Sequence, residues 1–350
     1  MTILFWVITF IAPLSVFSQS NSTKESIRFR VMSWNVENLF DTRHDSLKND
    51  QEFLPDALRH WNYTKYKKKL ADIAKVITAV GEWNVSALVG LCEVENDSVL
   101  RDLTRRSALK ELDYRYVMTH SPDLRGIDVA LLYQRDQFKL LSYQSISIPT
   151  FKKYRPTRDI LHVSGLLLSG DTLDVFVCHL PSRSGDAIAS EPYRLHAAQR
   201  LRSATDSIFN CRIHPQIIIM GDFNDYPSNK SIQEVLDAKA PSSTPGSSIQ
   251  PRKLYHLLAS KAESHSFGSY KYHGEWGLLD HLIVSGTLLN TSSVFFTSED
   301  KANVASLPFL LKDDEKYGDK EPFRTYYGMK YQGGISDHLP IYTDFTLILE

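Results

Sequence analysis

The stretch IIIMGDFNDYPS runs from Ile217 to Ser228, and it carries four strongly apolar residues straight into Gly-Asp-Phe-Asn-Asp. A short, branched, apolar run bounded by turn residues reads as a buried central strand. Two carboxylates and a carboxamide leaving such a strand need a reason. Gly221 is expected to let the backbone turn at the rim. Asp222 and Asn224 stand two residues apart and share a side if the strand continues that far. Asp225 falls on the other parity, just before the turn signal Tyr226-Pro227, and reads as loop structure.

Similar runs recur along the chain: RFRVMSW, SALVGLC, DVALLY, ILHVSGLLL, LDVFVC, HLIVS and LPIYTDF. Each is short and rich in branched or aromatic residues, the signature of a strand. Leu70, Ile73, Ala74, Ile77 and Val80 follow helical spacing, as do Ala197, Leu201, Ala204 and Ile208. Many strands lack an intervening helix. The expected fold is therefore mixed α/β with two stacked sheets rather than a doubly wound parallel sheet. Residues 227–275 and 296–334 read as long, turn-rich excursions, which in a compact domain are often functional.

Polar residues stand at the ends of these runs. Asn35, Glu93, His179 and the Asp222/Asn224 pair follow strands. Asp280-His281 and Ser336-Asp337-His338 precede them. Strands of opposite direction bring such ends to one rim, where a rigid strand fixes a side chain better than a loop does. The set is oxygen-rich with histidines and no cysteine ligand. It suits Mg²⁺, Mn²⁺ or Ca²⁺ and proton transfer near neutral pH. Carboxylates, a hard cation and acid–base histidines together point to phosphoester hydrolysis. Each residue also has a plainer reading: a turn asparagine, a solvated glutamate, a structural histidine, a strand cap. Six such strand ends together make the plain readings poor company.

The bulk numbers exclude little beyond extremes. The chain has 350 residues, 42% of them hydrophobic and 23% charged, which supports a full globular core. Lysine plus arginine number 40 against 41 acidic residues, so no strongly basic nucleic-acid footprint shows in the totals. The lysine run Lys65-Tyr66-Lys67-Lys68-Lys69 reads as a solvated helix face. Three cysteines, Cys92, Cys178 and Cys211, form no metal spacing and no complete disulfide framework. Residues 1–20 are apolar, proline-interrupted and followed by small residues. They are expected to be a secretory signal peptide cleaved near Ser18 or Ser20, ahead of a single domain over 27–350. That implies a secreted or periplasmic protein. No obligate protein partner is evident, and a monomer is expected.

The ordered set of strand-end motifs resembles the endonuclease/exonuclease/phosphatase superfamily with its DNase I-like fold, in the style of its secreted bacterial members. SWNVENL, LCEVEN, CHLPSRSGD, GDFND, LLDHLIVS and SDHLP occur in the family order over residues 31–342. The resemblance implies a four-layer α/β sandwich: two mixed sheets flanked by helices. It implies Glu93 as the principal metal ligand, with Asn35 and Asp337 beside it and Mg²⁺ as the leading cofactor. It implies Asp222 and Asn224 around the attacking water and the phosphate. It implies His338 as general base or phosphate ligand, oriented by Asp280, and His179 as general acid.

Several residues keep two readings. Asp128 either orients His179 or enters a strand. Arg155, Arg158 and Arg183 either bind phosphate through their planar forks or make ordinary structural pairs. Tyr270, Tyr272, His273 and Trp276 either stack on a planar group or pack a loop. The expected function is a metal-dependent phosphodiesterase, foremost a nuclease on DNA or RNA. A phospholipid head-group hydrolase of sphingomyelinase type, or a small-molecule phosphoesterase, is the alternative. A catalytically dead binding module would have lost site residues, and here all are present.

Overall fold

The computed structural model describes residues 25–150, 155–183, 185–243 and 249–349. The expected signal peptide lies outside the described residues. Among those residues, no helix is long and apolar enough to cross a membrane.

Two mixed β-sheets carry the molecule. The first contains β1 (Ser26–Leu39), β2 (Leu88–Val94), β3 (Arg115–Met118), β4 (Asp128–Tyr133), β13 (Phe295–Phe296), β14 (Ala302–Val304) and β19 (Ile341–Ile348). Its order is β13-β19-β1-β2-β4-β3, with β14 also on β19. The second contains β5 (Phe138–Ile146), β6 (Ile160–Leu167), β7 (Thr172–His179), β8 (Gln216–Asp222), β9 (Leu254–His256) and β12 (Asp280–Ser285), in the order β5-β6-β7-β8-β12-β9. Short hairpins decorate the edges: β10 (Tyr270–Tyr272) with β11 (Glu275–Gly277), β15 (Leu311–Asp313) with β16 (Lys320–Pro322), and β17 (Tyr326–Tyr327) with β18 (Lys330–Tyr331).

Each sheet has one parallel pair at its centre, β1–β2 and β7–β8, flanked by antiparallel neighbours. Parallel neighbours need a crossover. Helix α1 (Tyr63–Gly81) supplies the first and α3 (Ala187–Cys211) the second. The apolar spacing at Leu70, Ile73, Ala74 and Ile77 faces α1 onto the first sheet, beside the short α2 (Asp97–Arg106). The Asn62 side chain caps α1 by accepting from the Lys65 N–H at 3.1 Å. On the far side, Ala197, Leu201 and Ile208 of α3 pack on Phe176, Ile217 and Ile219 of the second sheet. Between the sheets, Val31, Val129, Val177, Met220 and Phe345 form a dry middle layer. Burying each of these side chains stabilises the fold by roughly 1.5–3 kcal/mol. Gly90 keeps the sheets close, since a Cβ there would lie 2.5 Å from the Met220 sulfur. The result is helix, sheet, sheet, helix: the four-layer sandwich that the motifs imply.

Candidate active site

The strand directions gather one rim. β1, β2, β7 and β8 run toward it and end there; β12 and β19 start from it. Asp280 pairs with Asp222 in antiparallel register, and His179 pairs with Asp222 in parallel register. Asn35, Glu93, His179, Asp222, Asn224, Asp337 and His338 thereby line one cleft of about 740 Å³. Asp280 stands behind His338, fully buried.

The terminal Ser-Asp-His segment is locked to β1. The Trp34 indole donates to the His338 carbonyl at 2.9 Å, and the Ser336 hydroxyl donates to the Asn35 carbonyl at 2.7 Å. His338 Nδ1 lies 2.7 Å from Asp280 Oδ2, which also accepts from the Ser269 hydroxyl at 2.6 Å. His338 Nε2 faces Asp222 Oδ2 at 3.9 Å. Burial by itself would lower the His338 pKa. The carboxylates of Asp280 and Asp222 outweigh it and hold the imidazole charged well above the usual histidine range.

Asp222 is gripped at both oxygens. The Asn224 N–H donates to Oδ1 at 2.8 Å and the Asn35 carboxamide donates to Oδ2 at 3.0 Å. Burial pushes its pKa up to about 7, with Asp280 adding to the rise and charged His338 opposing it. The strand ends at Asp222, so alternation does not place Asn224. Asn224 instead takes a left-handed conformation (φ 52°) and closes an Asx-type turn on Asp222. Gly221 likewise differs from expectation. It lies inside β8 at φ 133°, and a Cβ there would sit 1.9 Å from the Cys178 carbonyl oxygen. The glycine serves close approach between β7 and β8, not a turn. Asp225, set aside in the sequence, is buried against Arg194 at 2.7 Å and the Ser231 hydroxyl at 2.7 Å.

Across the cleft, Glu93 is the extra residue of a bulge in β2 and is itself left-handed (φ 66°). Its Oε2 accepts the Asn38 N–H at 2.8 Å. Four cleft residues, Glu37, Asn38, Glu93 and Asn224, adopt this strained region. Strain of that kind concentrates at functional sites. His179 Nε2 lies 3.9 Å from Glu93 and 3.6 Å from Asp222. Burial holds its pKa well below the usual value, and the positive charges of Arg158 and Arg125 push it the same way. Among the described residues its Nδ1 has no hydrogen-bond partner. Asp128 does not supply one: it accepts from the Thr119 hydroxyl at 2.6 Å and the Ser121 N–H at 2.9 Å instead.

Three expected substrate contacts fall elsewhere. Arg155 is exposed in a separate shallow hollow beside Ile148 and Thr157. Arg158 is buried behind the cleft, donating to the Leu180 carbonyl at 2.7 Å and pairing with Asp123 at 3.4 Å. Trp276 packs against the core between the first sheet and its helices. In a strand-entry or hairpin segment, residue type alone does not say which side the side chain takes. Arg183 does line the cleft, with its guanidinium 4.6 Å from the centre of the Tyr226 ring. Tyr270 and Tyr272 line it too, and Tyr270 lies 5.0 Å from the His338 ring.

Residues that sequence reasoning passed over complete the walls. Arg324 and Tyr326 come from the 296–334 excursion, and Arg324 pairs with Asp337 at 3.0 Å. Glu37 anchors that excursion by accepting from the Thr325 and Tyr326 N–H groups at 2.7 and 3.0 Å. The Lys69 ammonium, buried below, donates to the Glu37 carbonyl at 2.8 Å and the Ile335 carbonyl at 2.6 Å. Glu37 stood in plain view inside SWNVENL, two residues from Asn35.

The charge balance suits a hard cation. Asp222 and Glu37 are both raised to about 7, each by burial first and by a neighbouring carboxylate next. Among the described residues no three His, Cys, Asp or Glu side chains form a ready-made cage. One or two carboxylates with amide oxygens, leaving room for waters and a phosphate, is the pattern Mg²⁺ takes.

The family match over nearly the whole fold marks a hydrolase of phosphoric esters. The chain belongs to the endonuclease/exonuclease/phosphatase family, whose profile matches residues 30–346. Solved structures share the fold at low identity. An endonuclease/exonuclease/phosphatase family protein from Bacteroides thetaiotaomicron is 15% identical with a TM-score of 0.58, covering 93% of this chain and 100% of its own. The mannosyl-6-phosphatase Bt3783 of the same organism is 14% identical with a TM-score of 0.57, covering 91% and 99%. D. rerio TDP2, solved with a single-strand DNA product, is 14% identical with a TM-score of 0.54, covering 91% and 98%. No curated protein sequence matches the chain.

Proposed function

We propose that the protein is a divalent-metal-dependent phosphodiesterase acting on DNA or RNA. The observation that carries this reading is the buried Asp280–His338 pair at 2.7 Å, facing a doubly held Asp222 across from Glu93. The basic wall groups Arg183 and Arg324 suit an anionic backbone. The DNA product in a structural neighbour supports the same substrate class.

The residues divide the work as follows. Glu93 and Asn35, with Asp337 beside them, would hold a divalent cation, which would supply charge neutralisation to the phosphoryl oxygens. Asp222 keeps lone pairs free beyond its two clamps and, ionised, takes a proton from the attacking water. A carboxylate titrating near 7 is well matched to that task. His338, charged and fixed by Asp280, donates from Nε2 to a phosphate oxygen. Asn224 donates beside it. His179 is held neutral, so it donates a hydrogen bond from Nε2 to the leaving oxygen, which departs as the P–O bond to it breaks and takes its proton from a solvent water. Residues 1–20 would send the enzyme out of the cytoplasm as a signal peptide, with cleavage near Ser18–Ser20.

A substrate panel tests the reading: plasmid DNA, RNA, sphingomyelin and a hexose 6-phosphate, each with Mg²⁺, Mn²⁺ or EDTA. Metal-dependent cleavage of DNA or RNA is expected. Turnover of the lipid or the sugar phosphate alone would replace the nucleic-acid reading with that substrate.

A further inference from the structure

The β10–β11 hairpin turns through two residues only, His273 and Gly274, both left-handed at φ 51° and 87°. This is the tight turn that fits the strand twist. It places Tyr272 at the end of β10 flat against His273, with ring centres 4.1 Å apart and planes 12° apart. His273 in turn lies over Tyr317 at 6.2 Å and 29°. The hairpin is braced from below: the Lys271 ammonium pairs with Asp314 at 2.9 Å and donates to the Gly318 carbonyl at 2.9 Å. Its other strand is seated on the catalytic loop, because Gly277 lies so close to Tyr226 that a Cβ would meet the ring at 2.6 Å.

The stack is therefore tied to both the site and the 296–334 excursion. Yet Tyr272 lines the cleft and remains 59% exposed. On the same excursion Tyr327 is 71% exposed, with the Arg324 guanidinium 5.8 Å from its ring centre. An exposed ring at the wall of a charged cleft, as Tyr272 is, has no role in core packing. Aromatic faces beside arginines are the combination that single-stranded nucleic acid uses, with bases on the rings and phosphates on the guanidinium groups.

We infer that the Tyr272–His273–Tyr317 stack is a nucleobase subsite, on which a base flanking the scissile phosphate of a single strand continues the stack from Tyr272. The inference rests on the nucleic-acid reading above and sharpens it: the favoured substrate is unpaired, and one base beside the cleaved bond is gripped by its face rather than read by its edge.

The test compares two single-stranded oligonucleotides with identical backbones, one normal and one with tetrahydrofuran residues replacing the nucleotides around the cleavage position. The wild-type enzyme should favour the normal strand in kcat/KM by roughly 5- to 150-fold, the size of one base-on-aromatic contact. Tyr272→Ala should shrink that ratio toward one, while Tyr272→Phe should retain it, because the ring and not the hydroxyl makes the contact. Tyr272 is exposed, so folding is not at stake in either variant. Equal cleavage of both strands by the wild type overturns the subsite and leaves the phosphodiesterase reading standing. A base preference that survives Tyr272→Ala also overturns it. No cleavage of either strand overturns the subsite, and the phosphodiesterase reading falls with it only if plasmid DNA and RNA are also left intact.

Discussion

His338 and His179 stand on opposite walls of one cleft, both buried, both at strand ends, both facing Asp222. Their electrostatics run in opposite directions. Behind His338 lies a buried carboxylate, and the ring is held charged. Around His179 lie Arg158 and Arg125, its Nδ1 is unpartnered among the described residues, and the ring is held neutral. Desolvation is common to the two; the sign of the neighbour decides the outcome. Identical residues, one ending β7 and one in the segment that leads into β19, thus receive different tasks, one electrostatic and one neutral donor.

The largest effect expected to sharpen this contrast is at the charged wall. His338→Gln and Asp222→Asn should each lower kcat about 1,000-fold, within the range of acid–base contributions, with the circular-dichroism spectrum unchanged. Near-normal kcat in either variant would remove that residue from the chemistry. On the neutral wall, His179→Gln should cost only about 10- to 100-fold, the loss of one hydrogen bond to a charged group. Its pH profile should keep the wild-type shape, because a ring neutral throughout contributes no titration. Disappearance of a limb in that variant would break the comparison.

The pH dependence follows the same division. Activity should climb with pH as Asp222 ionises, at a pH that a bound cation draws below the value of about 7 set by burial in the metal-free site. It should decline only well above the usual histidine range, where His338 loses its proton. Asp280→Asn should draw that alkaline limb downward. Stability shows the opposite trend in the metal-free protein. Asp222 and Glu37 are raised to about 7, against roughly 4 in an unfolded chain. Their contribution is full below about pH 4 and is lost as pH rises through about 7. Mg²⁺ should therefore raise Tm more at pH 8 than at pH 5, read by calorimetry. The smallest effect is at Arg155, outside the cleft: Arg155→Ala should change kcat/KM less than about 2-fold.

Sequence and structure agree where burial writes itself into residue type. The apolar runs in β1, β2, β4, β6, β7, β8, β12 and β19 were legible because strands buried by flanking layers carry little else. β5 escaped because it is an edge strand and mostly exposed, so its sequence shows no core pattern. α2 was too short for its spacing to stand out. The strand-end polar set was legible because polar side chains leaving a core demand an explanation. Arg324 and Tyr326 were not, since only tertiary folding brings their excursion over the cleft, through contacts with Glu37. Arg158 and Trp276 misled for the converse reason: a guanidinium or an indole serves structure as readily as substrate, and the local pattern does not tell the two apart.

The pairing of β1 with β19 has a consequence for the order of events in folding. Ser26 lies opposite Ile348, so the central neighbours of the first sheet come from the two ends of the chain. A contact of such long range carries a loop-closure cost that local pairings do not. His338 is delivered by the segment that leads directly into β19. A growing chain therefore holds Asn35, Glu93, His179 and Asp222 long before it can place the residue that completes them. The cleft is complete only when the segment carrying His338 has brought β19 onto β1.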